Sequence, residues 1–229
     1  MSDFLDNIID ETKAKQYIEQ GSPEWDTIRV GRFTASEIWK LMVEPKTNEA
    51  KESGKLSETA LTYITEKAAE VMTGTVKQQG YAFPLVWGKE KEYEAKDFFI
   101  QSTGLIYEPC GFYPYTDHSG GSPDGLIGED DILEVKCPYD SAKQLDYLTM
   151  TDHFDVLRNY REIYWQCQAN LLFTNRKQCH LVTFDPRMIS DKHKMTHTII
   201  PANSEHHDVI IQKITRAIKE KLQILNRLK

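Results

Sequence analysis

The chain has 229 residues, with 28 Lys and Arg against 35 Asp and Glu and a formal net charge of −7. With 40% hydrophobic residues, a chain of this length can bury a full core, which excludes disordered, collagen-like and coiled-coil proteins. No apolar run of about 18 residues could cross a membrane, and the acidic residues 1–15 lack the basic region of a secretion signal.

The predicted elements begin with helices. Thr34 and Glu37 fit a capping box at the start of a short helix. Residues 44–57 are polar and predict an exposed loop. Helical periodicity then covers residues 57–72 and 88–101, and each of these segments ends shortly before a glycine.

Strand signals follow in the second half of the chain. Residues 105–115 are rich in strand formers, residues 119–125 have turn composition, and residues 132–137 alternate between two faces. The remaining predicted elements are a helix, two strands and a long terminal helix, over residues 158–173, 179–184, 196–200 and about 204–226. This order predicts a single α/β (α+β) domain over residues 1–229, with a mixed central β-sheet flanked by helices.

Three charged residues around one predicted strand carry the candidate chemistry. Glu134 and Lys136 are two residues apart on this strand, so their side chains leave the same face. A buried charged pair is costly unless it is paired or binds a metal. Asp124 can meet them from the neighbouring strand, and two carboxylates form a hard oxygen site that suits Mg²⁺. Lys136 would then orient or deprotonate a water molecule. The alternative is an internal salt bridge of Lys136 with Glu134 or Asp124.

Several sequence blocks together resemble a known family. Pro123-Asp124 followed by Glu134-Val135-Lys136 resembles the PD-(D/E)XK nuclease signature. The wider blocks resemble, in order and spacing, the bacteriophage lambda exonuclease family (YqaJ-type viral recombinases, phage alkaline exonucleases); they are Trp25–Glu37, Trp87–Glu92, Ser122–Gly125, Glu134–Pro138 and Trp165–Gln168. This resemblance implies a restriction-endonuclease-like core.

The resemblance also implies a metal centre. Asp124, Glu134 and the backbone carbonyl of Val135 would hold Mg²⁺, as two ions for which Mn²⁺ can substitute, and Lys136 would activate the water. Glu92 would be a further acid that reaches the metals or their waters. On a helix, Glu92 shares a face with apolar residues at positions 95 and 99, whereas its acidic neighbours point elsewhere. An exposed Glu in a charged run is the alternative.

A pocket for the 5′-phosphate of the digested strand is implied as well, formed by Arg29, Ser36, Ser122 and Gln166. A guanidinium matches phosphate oxygens with two hydrogen bonds, and hydroxyl and amide groups add neutral donors. The alternatives are a surface salt bridge for Arg29 and an ordinary helix start for Ser36. Gln166 and Gln168 point roughly 200° apart on a helix, so only one can face the site, and the resemblance favours Gln166.

Two further residues correspond to positions that handle the strands in the family. Leu85 would separate the terminal base pairs, and Lys46 would steer one strand towards the site. The family pattern has an Arg where this chain has Lys46, and a lysine cannot make the bidentate hydrogen bonds of a guanidinium. The alternatives are a core leucine and a solvated lysine.

The implied function is a Mg²⁺-dependent 5′→3′ exonuclease that acts on double-stranded DNA ends. It would prefer a 5′-phosphate, release mononucleotides and leave a 3′ single-stranded overhang for phage homologous recombination. The implied partners are two further copies in a homotrimer ring and a phage single-strand annealing protein, in the cytoplasm of a bacterial host. The alternatives are a structure-specific or restriction-like endonuclease of the same fold and a non-catalytic DNA-end-binding module.

The distribution of charge bears on a DNA partner. The acidic total argues against nucleic-acid binding when it is taken alone. Residues 101–140, however, carry a net charge of −7 and residues 141–229 a net charge of +5. The acidic stretch contains the candidate metal ligands Asp124 and Glu134, and the basic stretch can supply a DNA-facing surface that the overall charge conceals.

Overall fold

The computed structural model describes residues 18–77 and 83–228. The acidic segment 1–15 lies outside the described residues. Among the described residues, no helix combines the length and apolar character needed to cross a membrane.

The helices of the described residues range from 4 to 24 residues in length. They are α1 (Pro23–Arg29), α2 (Trp39–Met42), α3 (Asn48–Glu52), α4 (Glu58–Thr73), α5 (Phe83–Thr103), α6 (Ser141–Tyr147), α7 (His153–Asn159), α8 (Arg161–Thr174), α9 (Asp191–Lys194) and α10 (Ser204–Arg227). The strands are β1 (Phe33–Thr34), β2 (Tyr113–Thr116), β3 (Ser119–Gly121), β4 (Gly125–Ile127), β5 (Asp131–Lys136), β6 (Gln178–Phe184) and β7 (Met195–Pro201).

The larger sheet has the order β4-β5-β6-β7. β5 and β6 run parallel, while β4 and β7 pair antiparallel with their neighbours, so the sheet is mixed as predicted. A smaller sheet has the order β1-β3-β2. The predicted fold class, a mixed sheet flanked by helices, is confirmed.

Helices cover both faces of the larger sheet. Along β5, Leu133 and Val135 point to one side and pack with Ala95 and Phe99 of α5. Ile132 points to the other side, into the main core that α4, α8 and α10 help to form. The strand with the candidate site residues is therefore buried between two helical layers.

The long helices follow the predicted periodicity. α4 starts after Ser57, whose hydroxyl accepts a hydrogen bond from the Ala60 N–H, and it ends at Gly74, which has a φ of 69°. These are the expected cap residues for the two ends of a helix. α10 spans Ser204–Arg227, close to the predicted 204–226, and buries Ile210 and Ile214. Both predictions are confirmed.

The predicted capping box is wrong. Residues Ala35–Glu37 form a 3₁₀ turn, and Thr34 makes no side-chain cap hydrogen bond. The Glu37 carboxylate lies 2.5 Å from the Lys40 ammonium and 3.6 Å from that of Lys67. Two ammonium groups bind a carboxylate more strongly than a backbone N–H does, so this acid is drawn away from the turn.

Other helix boundaries also differ from the prediction. The predicted loop 44–57 contains α3, which Thr47 caps through a hydrogen bond from the Ala50 N–H. α5 begins at Phe83 rather than at residue 88. α8 begins at Arg161 and is preceded by α7, so the segment from residue 158 is not one continuous helix.

The strand predictions before β5 need correction too. Only the end of segment 105–115 lies in a strand, β2, and the predicted turn 119–125 contains β3 and the start of β4. Residues 122–124 alone form the connection. A Cβ at Gly120 would lie 2.5 Å from the Phe112 ring, so glycine here permits close packing in a strand rather than a turn.

Gly31 is held from two sides in the turn between α1 and β1. It has a φ of 67°. Its N–H donates to Oε2 of buried Glu70 at 3.0 Å, and its carbonyl accepts from Nζ of buried Lys221 at 2.6 Å. A Cβ at this position would lie 2.3 Å from Cγ2 of Val71. The turn is thereby fixed to both α4 and α10.

We expect Gly31→Ala to lower the free energy of unfolding by about 3 kcal/mol, because left-handed strain and a clash act together. The matched control is Gly74→Ala. Gly74 has nearly the same φ, 69°, but no atom within 4 Å of an added Cβ, so that variant should lose only about 1 kcal/mol. Equal losses in denaturant titration would show that the packing against α4 is unimportant.

Candidate active site

Asp124 lies beside β5 because the connection before β4 brings it there. Its N–H donates to the Leu133 carbonyl at 3.0 Å, which continues the antiparallel ladder of β4 and β5 by one residue. Its Oδ2 accepts a hydrogen bond from the Val135 N–H at 2.7 Å. Asp124 therefore lies at the end of β5, as predicted.

Glu134 is the buried centre of the site, with only 1% of its surface exposed. Its Oε1 accepts hydrogen bonds from Nζ of Lys136 at 2.8 Å and Nε2 of Gln166 at 2.5 Å. Its Oε2 accepts from Nδ2 of Asn170 at 3.1 Å. Since Gln166 and Asn170 are four residues apart on α8, they project from the same helix face. One strand and one helix together enclose the carboxylate.

Lys136 belongs to the same network. Its ammonium also donates to Oε1 of Gln166 at 3.0 Å. The Glu134–Lys136 ion pair that the sequence left as an alternative is thus present, and Gln166 bonds to both of its members. Burial by itself lowers the pKa of Lys136, but the charges of Glu134 and Asp124 outweigh it and raise the pKa above its usual range.

Glu92 approaches the site from α5. Its side chain is 33% exposed and lies 2.5 Å from the Lys96 ammonium, one helical turn further on. Its acidic neighbours Glu90 and Glu94 are exposed, so the predicted direction of Glu92 is confirmed. Burial, followed by the negative charges of Glu134 and Glu92, raises the pKa of Asp124 well above its usual value.

The donors at this site fit a divalent cation chemically. Burial first, and then the charges of Glu134 and Glu92, raise the pKa of Asp124, and a divalent cation would favour its ionised form against both effects. In the described parts of the chain, no three His, Cys, Asp or Glu side chains are arranged to hold a metal ion. At this site, protein donors bond both oxygens of Glu134.

The predicted phosphate ligands Arg29 and Ser122 are joined by Trp25. The Arg29 guanidinium lies 3.7 Å from the centre of the Trp25 ring. The indole N–H of Trp25 donates to Oγ of Ser122 at 3.0 Å. The salt-bridge alternative for Arg29 is present only weakly, since Asp26 lies 3.8 Å away. Burial lowers the pKa of Arg29 from its usual value, while Asp26 opposes that shift.

Ser36 is exposed in the 3₁₀ turn, where its hydroxyl lies 3.4 Å from that of Thr34. This turn packs against α8 and β3.

The structure also decides which of the two glutamines faces the site. Gln166 contacts the carboxylate network, whereas the fully buried Gln168 bonds the Pro201 carbonyl and the Asn203 N–H.

Leu85 and Lys46 lie apart from this network. Leu85 is 45% exposed in the first turn of α5, so the alternative of a core leucine is wrong. The side chain of Lys46 is 92% exposed, and its nearest acid, Glu58, is 4.0 Å away. Lys46 is therefore a solvated lysine in this structure, as in the alternative. The roles of Leu85 and Lys46 in handling DNA strands stay predictions.

Sequence reasoning missed three residues that shape the site. Asn170 and Lys96 directly contact predicted site carboxylates, and Trp25 links two predicted phosphate ligands. The available signal was spacing, since Lys96 follows Glu92 by four residues and Asn170 follows Gln166 by four. Such pairs share a helix face, but the spacing does not say what that face meets.

Arg187 fixes the chain that leaves β5. It binds both oxygens of fully buried Asp185, at 2.8 and 2.9 Å, and donates to the carbonyls of Pro138 and Tyr139. Its guanidinium also lies 4.3 Å from the centre of the Trp87 ring on α5. This one side chain therefore connects the segment after Lys136 with the helix that carries Glu92.

We expect Asp124→Asn to raise the free energy of unfolding of the protein in EDTA by about 1 kcal/mol, because it removes the repulsion of Asp124 by the carboxylates of Glu134 and Glu92. Asn can still accept the Val135 hydrogen bond through its amide oxygen. The matched control is Asp117→Asn, at an exposed turn, which should change stability little. A loss of stability on Asp124→Asn would show that this carboxylate is well compensated by the protein.

Known proteins share this fold. The chain is similar to the alkaline exonuclease of Laribacter hongkongensis, at 24% identity and a TM-score of 0.73 over 90% of this chain and 96% of that one. The same enzyme in complex with dAMP gives 24% identity and a TM-score of 0.77 over 91% and 96%. The phage-related exonuclease of Haemophilus somnus gives 19% identity and a TM-score of 0.71 over 86% and 96%.

The comparison with curated proteins finds no match. The model of the YqaJ-like viral recombinase domain, however, matches residues 24–177. That range includes Arg29, Glu92, Asp124, Glu134 and Gln166, and it is more than half of the chain. The protein therefore belongs to the family of YqaJ-like viral recombinase domains.

Proposed function

We propose that this protein is a metal-dependent nuclease that digests double-stranded DNA from its ends in the 5′→3′ direction. It releases mononucleotides and leaves a 3′ single strand for phage recombination. The observation that carries the proposal is the meeting of Asp124, Glu134, Lys136 and Gln166 at the end of β5, next to the Arg29–Trp25–Ser122 contact. Carboxylates with a lysine suit phosphodiester hydrolysis, and the neighbouring arginine and serine suit a terminal phosphate.

Each residue has a separate task in this proposal. Asp124, Glu134, the Val135 carbonyl and Glu92 would hold Mg²⁺. When it is bound, Mg²⁺ lowers the pKa of a water molecule and neutralises charge that develops on the phosphate. Lys136 donates hydrogen bonds from a fixed position, because Glu134 and Gln166 hold its ammonium. Gln166 bonds both the Glu134 carboxylate and the Lys136 ammonium and so holds them in a fixed relative position.

The direction of digestion depends on the phosphate pocket. Arg29 lies over the ring of Trp25, and Ser122, two residues before Asp124, accepts a hydrogen bond from its N–H. In this proposal a terminal 5′-phosphate held by Arg29 and Ser122 has its next phosphodiester at the carboxylates. The alkaline exonuclease and phage-related exonuclease folds are consistent with this activity. A homotrimer ring around the DNA and a phage annealing protein as partner belong to the same proposal, and the basic charge of residues 141–229 would suit the DNA side.

We expect Glu134→Ala and Lys136→Ala each to lower the rate of digestion of linear duplex by about a thousandfold or more, because both residues act in one network. Binding to DNA ends should persist. The measurement is gel analysis of a labelled duplex with Mg²⁺, and with Ca²⁺, which should support binding without cleavage. Full activity in either variant would refute the site assignment, and internal fragments instead of mononucleotides would favour the endonuclease.

We expect a preference of the wild type for 5′-phosphate over 5′-hydroxyl ends, and Arg29→Gln should reduce that preference roughly tenfold by removing a charge-assisted hydrogen bond. The control is Arg158→Gln, since that side chain is 66% exposed in an ion pair with Asp155. The ratio of initial rates on the two substrates is the measurement. An unchanged ratio in Arg29→Gln would place the terminal phosphate elsewhere.

A further inference from the structure

A cavity of about 330 Å³ opens next to the candidate active site. Its size is at the lower end of the range for small-molecule sites. The side chains that give it its chemical character are Trp25, Lys89, Glu92, Tyr93, Lys96 and Tyr107. Two of them, Trp25 and Glu92, also belong to the site described above, so the cavity and the site share a wall.

The lining is suited to an aromatic ligand with a negative charge. Three aromatic rings and two ammonium groups face one acid. The Lys96 ammonium lies 5.3 Å from the centre of the Tyr107 ring and 2.5 Å from Glu92. Tyr93 is 72% exposed, and it has no hydrogen-bond or ring partner among the residues that the structure describes. Its ring is therefore available for stacking, which every nucleic-acid base accepts.

The position of the cavity fits the path of one nucleotide. A terminal nucleotide with its 5′-phosphate at Arg29 and Ser122 and its 3′-phosphodiester at Asp124 must place its sugar between these two points. Trp25 stands at the first point, since its ring contacts Arg29 and its N–H binds Ser122. Glu92, which the proposed function places with Asp124 around the metal, lines the cavity at the second point. The base of this nucleotide is then next to the cavity.

We propose that this cavity receives the base of the 5′-terminal nucleotide, stacked against Tyr93, and so binds its nucleoside part both before and after the phosphodiester is cleaved. This inference rests on the proposed function. Stacking uses the face of a base and not its hydrogen-bonding edge, so the subsite accepts all four bases. Its role is to position the terminal nucleotide, and Tyr93 is a positioning residue.

The test combines enzyme variants with a modified end. Two duplexes carry a 5′-phosphate, one with an ordinary terminal nucleotide and one with an abasic terminal nucleotide, and kcat/KM is measured for the first cleavage. We expect wild type to cleave the abasic end roughly tenfold less efficiently, the value of one stacked base. Tyr93→Ala should lose a similar factor on the ordinary end and little on the abasic end, whereas Tyr93→Phe should behave as wild type.

The control variant is Phe154→Ala, because Phe154 is also an exposed ring, at 55%, but lies on α7. It should leave both substrates unaffected. Equal losses of Tyr93→Ala on both ends, or a wild type that does not distinguish them, would overturn the subsite.

A binding measurement separates this proposal from the proposed function. The affinities of wild type and Tyr93→Ala for dAMP and for deoxyribose 5-phosphate are compared by calorimetry. A preference for dAMP that Tyr93→Ala removes supports the subsite even if no DNA is cleaved. Equal affinity for the two compounds, or no binding of either, overturns it even if the enzyme digests DNA as proposed.

Discussion

The burial of the Glu134 carboxylate is the constraint on which the rest of the site depends. An ionised carboxylate with 1% of its surface exposed costs several kcal/mol unless its charge and lone pairs are satisfied. Lys136 supplies the charge, and Gln166 and Asn170 supply two further hydrogen bonds. These groups meet only if α8 crosses the end of β5 in one register. The need to satisfy the buried Glu134 carboxylate thus fixes how α8 packs on the sheet.

The parts of this arrangement that depend on local pattern could be predicted from the sequence. The two-residue period of a strand places Glu134 and Lys136 on one face, whatever surrounds them. The 3.6-residue period of a helix separates Glu92 from its acidic neighbours and Gln166 from Gln168. The order of the predicted elements also indicated a mixed sheet flanked by helices, because a group of strands lies between helices along the chain.

The parts that depend on distant neighbours could not be predicted. Glu37 has the spacing of a capping residue, but Lys67 on α4 lies 3.6 Å from it and Lys40 lies closer still. The glycines of β3 have the composition of a turn, but they allow aromatic and amide side chains to pack against a strand. Asn170 carries no motif at all. Lys67 is distant in sequence from Glu37, as Asn170 is from Gly121 and Glu134, and no local period encodes such contacts.

The close packing of Gly121 beneath α8 has a consequence for how the sequence can vary. A Cβ at this position would lie 2.2 Å from Oδ1 of Asn170 and 3.0 Å from Cβ of Ala35. A side chain at 121 would therefore displace the amide of Asn170, whose Nδ2 donates to Glu134. Positions 121 and 170 are therefore energetically coupled: a side chain that fills the space at 121 also disturbs a hydrogen bond that holds the buried acid.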